Sequence, residues 1–282
     1  MGKVLLCGRF ELKLDRPLIM GVINVTPDSF SDGSRHFETD AAVAHARTLL
    51  EEGADILDIG GESTRPGARE VPESEELRRV LPVLEALRGA DIPLSVDTFK
   101  PGVMRAVLNA GADMINDIYA FRRPGALEAV QASRCGLCAM HMQGDPRTMQ
   151  IAPAYDDVVA ELRAFFVDRV ETLRHAGVSL DRLVLDPGFG FGKTVKQNYI
   201  LLHALSRLKV DALPLVVGVS RKSMIGQVTG RPASQRLAGS ISAALAAVSR
   251  GAAIVRVHDV AATVDAMRVW RAVEEGACDE SA

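Results

Sequence analysis

The sequence predicts an α/β protein, a single (β/α)8 TIM barrel with a short N-terminal β-hairpin. An apolar run of strand length, a polar loop and an amphipathic helix recur in that order eight times. The junctions Gly53-Ala54-Asp55, Gly111-Ala112-Asp113 and Gly251-Ala252-Ala253 repeat one local solution, in which a glycine ends a helix and turns the chain into a buried strand. The 282 residues, 48% of them hydrophobic, suit one large core of barrel size. A doubly wound open sheet is the alternative. No linker or composition shift marks a second domain, so residues 1–282 read as one unit, with 1–16 as the hairpin region and 277–282 as a frayed tail.

Val4–Leu14 holds two short apolar runs broken at Gly8-Arg9, the pattern of a hairpin. Leu18–Val25 is the first barrel strand, followed by a helix over Asp40–Glu52 with Val43, Ala46, Leu49 and Leu50 on one face. Strand Ala54–Ile59 and helix Glu73–Leu87 come next, then strand Pro93–Val96. Helix Pro101–Ala110 carries proline in its first turn and Gly111 past its end. Strand Met114–Ile118, helix Gly125–Ala132, strand Gly136–Met142 and the long helix Tyr155–Ala176 follow. Strand Leu183–Leu185 and helix Asn198–Leu208 lead to the apolar run Leu213–Val219. Helix Ser234–Ser249, strand Ala253–Val257 and helix Val260–Glu275 complete the series.

The run Leu213–Val219 stops at Ser220-Arg221-Lys222-Ser223, after which Met224-Ile225 resumes helical spacing. A buried strand that delivers Lys222 and Ser223 to a helix start suits an anion. A solvated helix start is the bland alternative.

Composition excludes several classes of function. A net charge of −3 leaves no electrostatic case for nucleic acid or an anionic membrane as partner. No apolar run is long enough to span a bilayer, and Met1–Arg16 has no apolar signal core, so a cytoplasmic location is expected. Cys135 and Cys138 match C-x-x-C, but no second Cys/His pair stands at zinc spacing, so they read as reduced thiols.

Catalytic groups of a barrel sit where strands end in βα loops. Those positions hold Asn24, the segment 60–65, Asp97, Asn116-Asp117, His141, Asp186, Ser220–Lys222, Arg256 and His258. Each has a structural explanation alone: Asp97 could cap a helix and His141 could be a satisfied core histidine. Together they converge on one mouth. Asp97, Asn116 and Asp186 can grip a flat heterocycle rich in N–H donors, while Arg65, Arg256, His258 and Lys222 supply charge for phosphate or carboxylate. The run Asp186–Thr194 ends like a Walker A loop, yet Pro187 stands where that motif needs glycine. It reads instead as a glycine-rich lip presenting Phe189 and Phe191 to an aromatic ligand.

Met20-Gly-Val-Ile-Asn-Val-Thr-Pro-Asp-Ser-Phe-Ser-Asp32, Gly60-Gly-Glu-Ser-Thr-Arg-Pro-Gly67, Ser95-Val-Asp-Thr98, Ile115-Asn-Asp-Ile118, Met140-His-Met142, Asp186-Pro-Gly-Phe-Gly-Phe-Gly192, Ser220-Arg-Lys-Ser223 and Arg256-Val-His258 closely resemble the bacterial dihydropteroate synthases of folate biosynthesis. The resemblance runs from about Gly8 to Val269. It implies condensation of 6-hydroxymethyl-7,8-dihydropterin diphosphate with 4-aminobenzoate, Mg2+ as cofactor, a homodimer, and sulfonamides as inhibitors. It implies that Asp97, Asn116, Ile118, Met140, Asp186, Phe191, Gly218, Lys222 and Arg256 surround the pterin. Asn24, Thr64, Arg256 and His258 are implied at the diphosphate, with Asn24 on the magnesium side. Phe30, Thr64, Arg65, Pro66, Phe191, Lys222 and Ser223 are implied around the aminobenzoate. The implied catalytic group is Asn24, Asp97, Lys222, Arg256 and His258.

No residue here looks placed to strengthen a weak aromatic amine, so the chemistry is expected to improve the electrophile, by an SN1-like route. The loops 26–37 and 61–72 are expected to be gathered by diphosphate and magnesium. Small residues Gly239, Ser240, Ala243, Ala244 and Ala247 are expected to let one helix approach a second copy. Two other readings stay open at this stage: a methyltetrahydrofolate-corrinoid methyltransferase and a non-catalytic pterin-binding paralogue.

Overall fold

The computed structural model describes residues 3–26, 35–64, 67–68 and 70–276. Strands β3 (Leu18–Asn24), β4 (Ile56–Gly60), β5 (Leu94–Asp97), β6 (Met114–Asp117), β7 (Gly136–Met140), β8 (Leu183–Asp186), β9 (Val216–Val217) and β10 (Ile254–Val257) form an all-parallel sheet in the order β8-β7-β6-β5-β4-β3-β10-β9. A bridge between Leu185 and Leu215, with the Leu185 N–H donating to the Pro214 carbonyl at 3.0 Å, closes the sheet into the expected barrel. The helices that follow the strands wrap its outside: α1 (Arg35–Glu51), α2 (Glu73–Leu87), α3 (Pro101–Ala110), α4 (Ala126–Val130), α5 (Val158–His175), α6 (Val195–His203), α7 (Ser223–Thr229), α8 (Leu237–Val248) and α9 (Val260–Glu275).

Strand alternation sorts side chains into two cores. Residues such as Ile23, Leu57, Val96, Ile115, Leu137, Leu185 and Val255 face the helices and join Leu84, Val107, Phe166 and Ala247 in the outer core. Met20, Ile56, Met114, Cys138, Val184, Val216 and Ile254 fill the barrel interior instead, and Leu5 and Cys7 pack against them. Those last two belong to the hairpin of β1 (Val4–Cys7) and β2 (Phe10–Lys13). The hairpin therefore stoppers the barrel's N-terminal end rather than merely preceding it. Gly8 N–H donates to the Arg134 carbonyl at 3.1 Å, and Arg9 Nε donates to Asp113 at 3.1 Å, tying it down.

Element ends differ from expectation where side chains intervene. Of the run 213–219 only Val216–Val217 is regular strand; Pro214, which has no N–H to add to a ladder, accounts for its late start. The long helix begins at Val158, since Asp157 caps it by accepting from Val159 N–H at 2.9 Å and Ala160 N–H at 3.1 Å. The helix placed over 198–208 starts earlier, at a Thr194/Gln197 capping box, and ends at His203 before a separate 3-10 turn. Cys135 and Cys138 are free thiols, as read from sequence, and both are buried, as is the free thiol of Cys7.

Candidate active site

The same alternation that fills the barrel builds the site. On β4, β6, β8 and β10, a buried apolar residue of the interior (Ile56, Met114, Val184, Ile254) is followed two positions later by Asp58, Asn116, Asp186 and Arg256. Asp97 occupies the corresponding place two residues after Ser95 on β5. The upper row is level across the sheet: Asn24 pairs with Gly60, Gly60 with Asp97, and Asp97 with Asn116. An apolar floor with a polar layer above it is a well that binds a polar, planar molecule.

Arg256 organises one wall. Its Nε donates to Asp58 Oδ2 at 2.6 Å and its Nη2 donates to Asp97 Oδ2 at 3.0 Å. Burial works against its charge, yet the two carboxylates more than offset this and hold it above its ordinary range. Burial pushes the Asp97 carboxyl up to about 7; Arg256 opposes the rise and Asp58 adds to it. Asp58 was absent from the residues singled out in the sequence. It lies inside an apolar run rather than at its end, and only its inward parity could have revealed it.

Lys222 and Asp186 face the same space. Burial lowers the Lys222 amine to about 8, with Asp186 opposing, and raises Asp186, with Lys222 opposing. Lys222 Nζ donates to the Phe189 carbonyl at 2.6 Å and lies 4.9 Å from the centre of the Phe191 ring. Lys222 is therefore half-buried, not the exposed cation its place at a strand end suggests. A side chain at Gly218 would stand against Arg256 and Lys222, so the glycine keeps the well open there. Phe191, Ile118 and Met140 form an apolar wall with Phe99, Tyr119, Met142 and Met149.

The Ser220–Ser223 segment divides its groups. Ser220 is turned to His258, its Oγ 3.1 Å from His258 Nδ1, and burial with Arg256 and Arg221 nearby lowers that imidazole to about 4. Arg221 sits at φ 58° and pairs outward with Asp259, its Nε 3.0 Å from Oδ2. Only Lys222 brings a cation to the well. Ser223 is exposed at the start of α7, whose seven residues give little dipole, so the charge and not the helix makes the attraction.

The glycine-rich lip also differs from expectation. Phe189 is fully buried in the outer core and presents nothing to a ligand, whereas Phe191 does border the well. A Cβ on Gly188 would lie 2.0 Å from the His141 carbonyl, so the loop needs glycine for close packing and not to cradle phosphate. Lys193, the apparent Walker lysine, is buried, and His141 is held beside it and Phe165 rather than in the well. His141 is the satisfied core histidine.

Thr64, half-buried, lines a small cleft at the same mouth with Ser63, Tyr119 and Arg123. The stems of its loop are clamped: Lys100 Nζ binds Glu76 Oε2 at 2.6 Å, the Glu62 carboxylate and the Val71 carbonyl. Phe30, Asp32, Arg65 and Pro66 lie outside the described residues. Asn24 ends β3, half-buried at the rim.

A family description of pterin binding enzymes matches residues 20–258. The dihydropteroate synthase of Escherichia coli K12 is 52% identical over 263 residues, 93% of either chain. The dihydropteroate synthase of Burkholderia cenocepacia, solved with 7,8-dihydropteroate, is 55% identical, with a TM-score of 0.90 over 98% of both chains. That of Xanthomonas albilineans, solved with 4-aminobenzoic acid, is 56% identical, with a TM-score of 0.92 over 97% of this chain and 99% of the other.

Proposed function

The chain belongs to the dihydropteroate synthases of the pterin binding enzyme family, and on that premise we propose how its residues divide the work. It is a transferase that condenses (7,8-dihydropterin-6-yl)methyl diphosphate with 4-aminobenzoate to give 7,8-dihydropteroate and pyrophosphate. In our reading the pterin lies in the well on the interior floor, its N–H edge toward Asp97, Asn116 and Asp186 and its face along Ile118, Met140 and Phe191. The observation that supports this best is one cation, Arg256, shared by two carboxylates, Asp58 and Asp97. With Asp97 ionised, the trio carries a net negative charge where the reacting methylene would sit.

That charge favours an SN1-like route. The methylene C–O bond breaks and its electron pair leaves with pyrophosphate. The cation left behind is spread through the pterin ring and stabilised by Asp97. The aminobenzoate nitrogen then donates its lone pair to the methylene and releases one N–H proton to solvent. Thr64, His258 and Arg256 are assigned to the departing phosphates as hydrogen-bond donors, His258 as a neutral imidazole and not the cation expected from sequence, and Lys222 with Ser223 and Phe191 borders the aminobenzoate.

Among the described residues no group of three or more His, Cys, Asp or Glu side chains converges on a metal position. The amide oxygen of Asn24 at the rim is a hard donor, which fits a magnesium ion that keeps most of its waters and takes its other ligands from phosphate. Such an ion supplies charge neutralisation for the leaving group.

A homodimer belongs to the same proposal. Ser240, Ala243, Ala244 and Ala247 are buried within this chain, and a Cβ on Gly239 would meet Ile225 at 2.4 Å, so these small residues serve packing of α8 on its own neighbours. The exposed Val228, in one groove with Gly239 and Ala243, is the centre of the apolar surface we assign to a second copy. No described helix is long and apolar enough to cross a membrane, and we place the enzyme in the cytoplasm.

Release of pyrophosphate from pterin diphosphate and 4-aminobenzoate with Mg2+ tests the reaction. Pyrophosphate that appears only when both substrates are present supports it. A methyl transfer activity, or binding without turnover, overturns it. A kinetic isotope effect showing strong bonding to the amine in the transition state overturns the SN1-like route alone. Sedimentation of Val228→Asp against the unsubstituted protein tests the dimer, and an unchanged oligomeric state overturns its placement.

A further inference from the structure

We propose that Asp58 is a positioning residue that sets which end of the Asn116 amide meets the substrate. Asp58 is fully buried at the level below Asp97 and cannot itself touch a molecule in the well. It acts through what it holds. Its Oδ2 accepts from Asn116 Nδ2 at 3.1 Å and from Arg256 Nε at 2.6 Å, while its Oδ1 accepts from Ser95 Oγ at 2.6 Å.

The Asn116 amide has one donating and one accepting end, and a rotation of 180° exchanges them. A carboxylate only accepts. Asp58 can therefore engage only the NH2 end, and that choice turns the carbonyl end away from itself. Asn116 Oδ1 is the buried atom this leaves without any partner, on a residue only 4% exposed. A buried acceptor without a donor is costly and is kept where a ligand supplies the donor. The charge of Arg256 and the hydroxyl of Ser95 stop the Asp58 carboxylate from turning, so the orientation is passed from β5 and β10 through β4 to β6.

The ligand polarity follows from this: the atom that meets Asn116 must donate a hydrogen bond, as the N–H groups of a pterin edge do. This deepens the reading of the well as a pterin site and rests on it. A neutral amide at position 58 keeps the shape but loses the charge and can present either end, so the Asn116 carbonyl is no longer enforced.

The test is a double-mutant cycle on equilibrium binding of pterin diphosphate without 4-aminobenzoate, with melting temperatures to confirm folding. Asp58→Asn is nearly isosteric and spares the core. It is expected to weaken binding about tenfold in the native background and less than about threefold once Asn116→Ala has removed the group it orients. The same penalty in both backgrounds, or binding by Asp58→Asn equal to the unsubstituted protein, overturns the proposal. The unsubstituted protein is the control for the reading beneath it. If it neither binds pterin diphosphate nor releases pyrophosphate, the assignment of the well fails; if it does both and the cycle is additive, only the role of Asp58 fails.

Discussion

Lys193 Nζ donates to His141 Nδ1 across 3.0 Å, with both side chains more than nine-tenths buried. The amine also donates to the carbonyls of Gly188 and Phe191, each at 2.9 Å, so one side chain fastens the glycine-rich lip to the end of β7. An imidazole that accepts on Nδ1 cannot be protonated there. Burial first, then the neighbouring Lys193, lowers His141 from 6.5 to about 2, and burial lowers Lys193 to about 7.

The sign of the pH effect on stability follows. The unfolded chain takes up a proton on His141 below its ordinary value of 6.5, and the folded chain does not until about 2. Stability from this group is whole above 6.5 and is lost as pH falls between those values. His141→Gln keeps an acceptor for Lys193 without a titrating ring. By about pH 4.5 the native protein should have lost about 3 kcal/mol more than the variant, from two units at about 1.4 kcal/mol each. Denaturant midpoints across that range decide it; parallel curves would show that the imidazole is charged in the fold.

Lys222→Ala removes the one cation that the Ser220–Ser223 segment sends into the well. Turnover should fall about 100-fold or more, the cost of losing one preorganised charge. The loss of the Phe189 carbonyl bond should also lower the melting temperature by a few degrees, about 1 kcal/mol. Retained turnover at full folding would remove Lys222 from the site.

Asp97 must be ionised to stabilise a cation. With its carboxyl at about 7, the native rate should decline as pH drops through that value. Asp97→Asn should show no such acidic limb, a kcat about 100-fold lower, and pterin affinity changed only a few-fold. A variant impaired chiefly in pterin binding would mean that the charge is used in the ground state.

Lys100→Met unclamps both stems of the loop that carries Thr64. It leaves Glu62 and Glu76 as buried carboxylates without their cation, at a cost of about 3–5 kcal/mol and roughly 10 °C in melting temperature. At temperatures where the variant remains folded, its KM for 4-aminobenzoate should still rise several-fold. An unchanged KM would separate the clamp from the site.

In the proposed binding mode the described residues supply only part of the aminobenzoate pocket, namely Thr64, Phe191, Lys222 and Ser223. Magnesium pyrophosphate should strengthen its binding more than tenfold, a coupling above about 1.4 kcal/mol. Sulfonamides, which resemble it, should show the same dependence. Calorimetric titration with and without magnesium pyrophosphate measures this, and equal affinities would mean a preformed pocket.

Legibility in the sequence followed the position of a residue in its strand. Asn24, Asp97, Asn116, Asp186 and Arg256 end or nearly end apolar runs, and the structure brings the last four to one well. Asp58 sits inside such a run, where a carboxylate reads as an interruption until strand parity is known. Phe189 and Phe191 are two residues apart in a loop, and nothing local tells which turns to the core. The stopper formed by Leu5 and Cys7 depends on contacts more than 100 positions away, such as the Cys7 thiol on the Asp113 carbonyl, and no short-range pattern encodes them.

The stoppered base has a consequence for traffic. With Leu5 and Cys7 against Met20, Ile56 and Cys138, the barrel is a blind shaft with one door. Whatever lies deepest must enter first and depart last. In the binding mode proposed above, a pterin seated on the floor has to arrive before the aminobenzoate can occupy the threshold. The joined product has to back out with its aminobenzoate end leading. In that binding mode the packed interior, capped from below by Leu5 and Cys7, imposes an order of events on the chemistry without any of these side chains reacting.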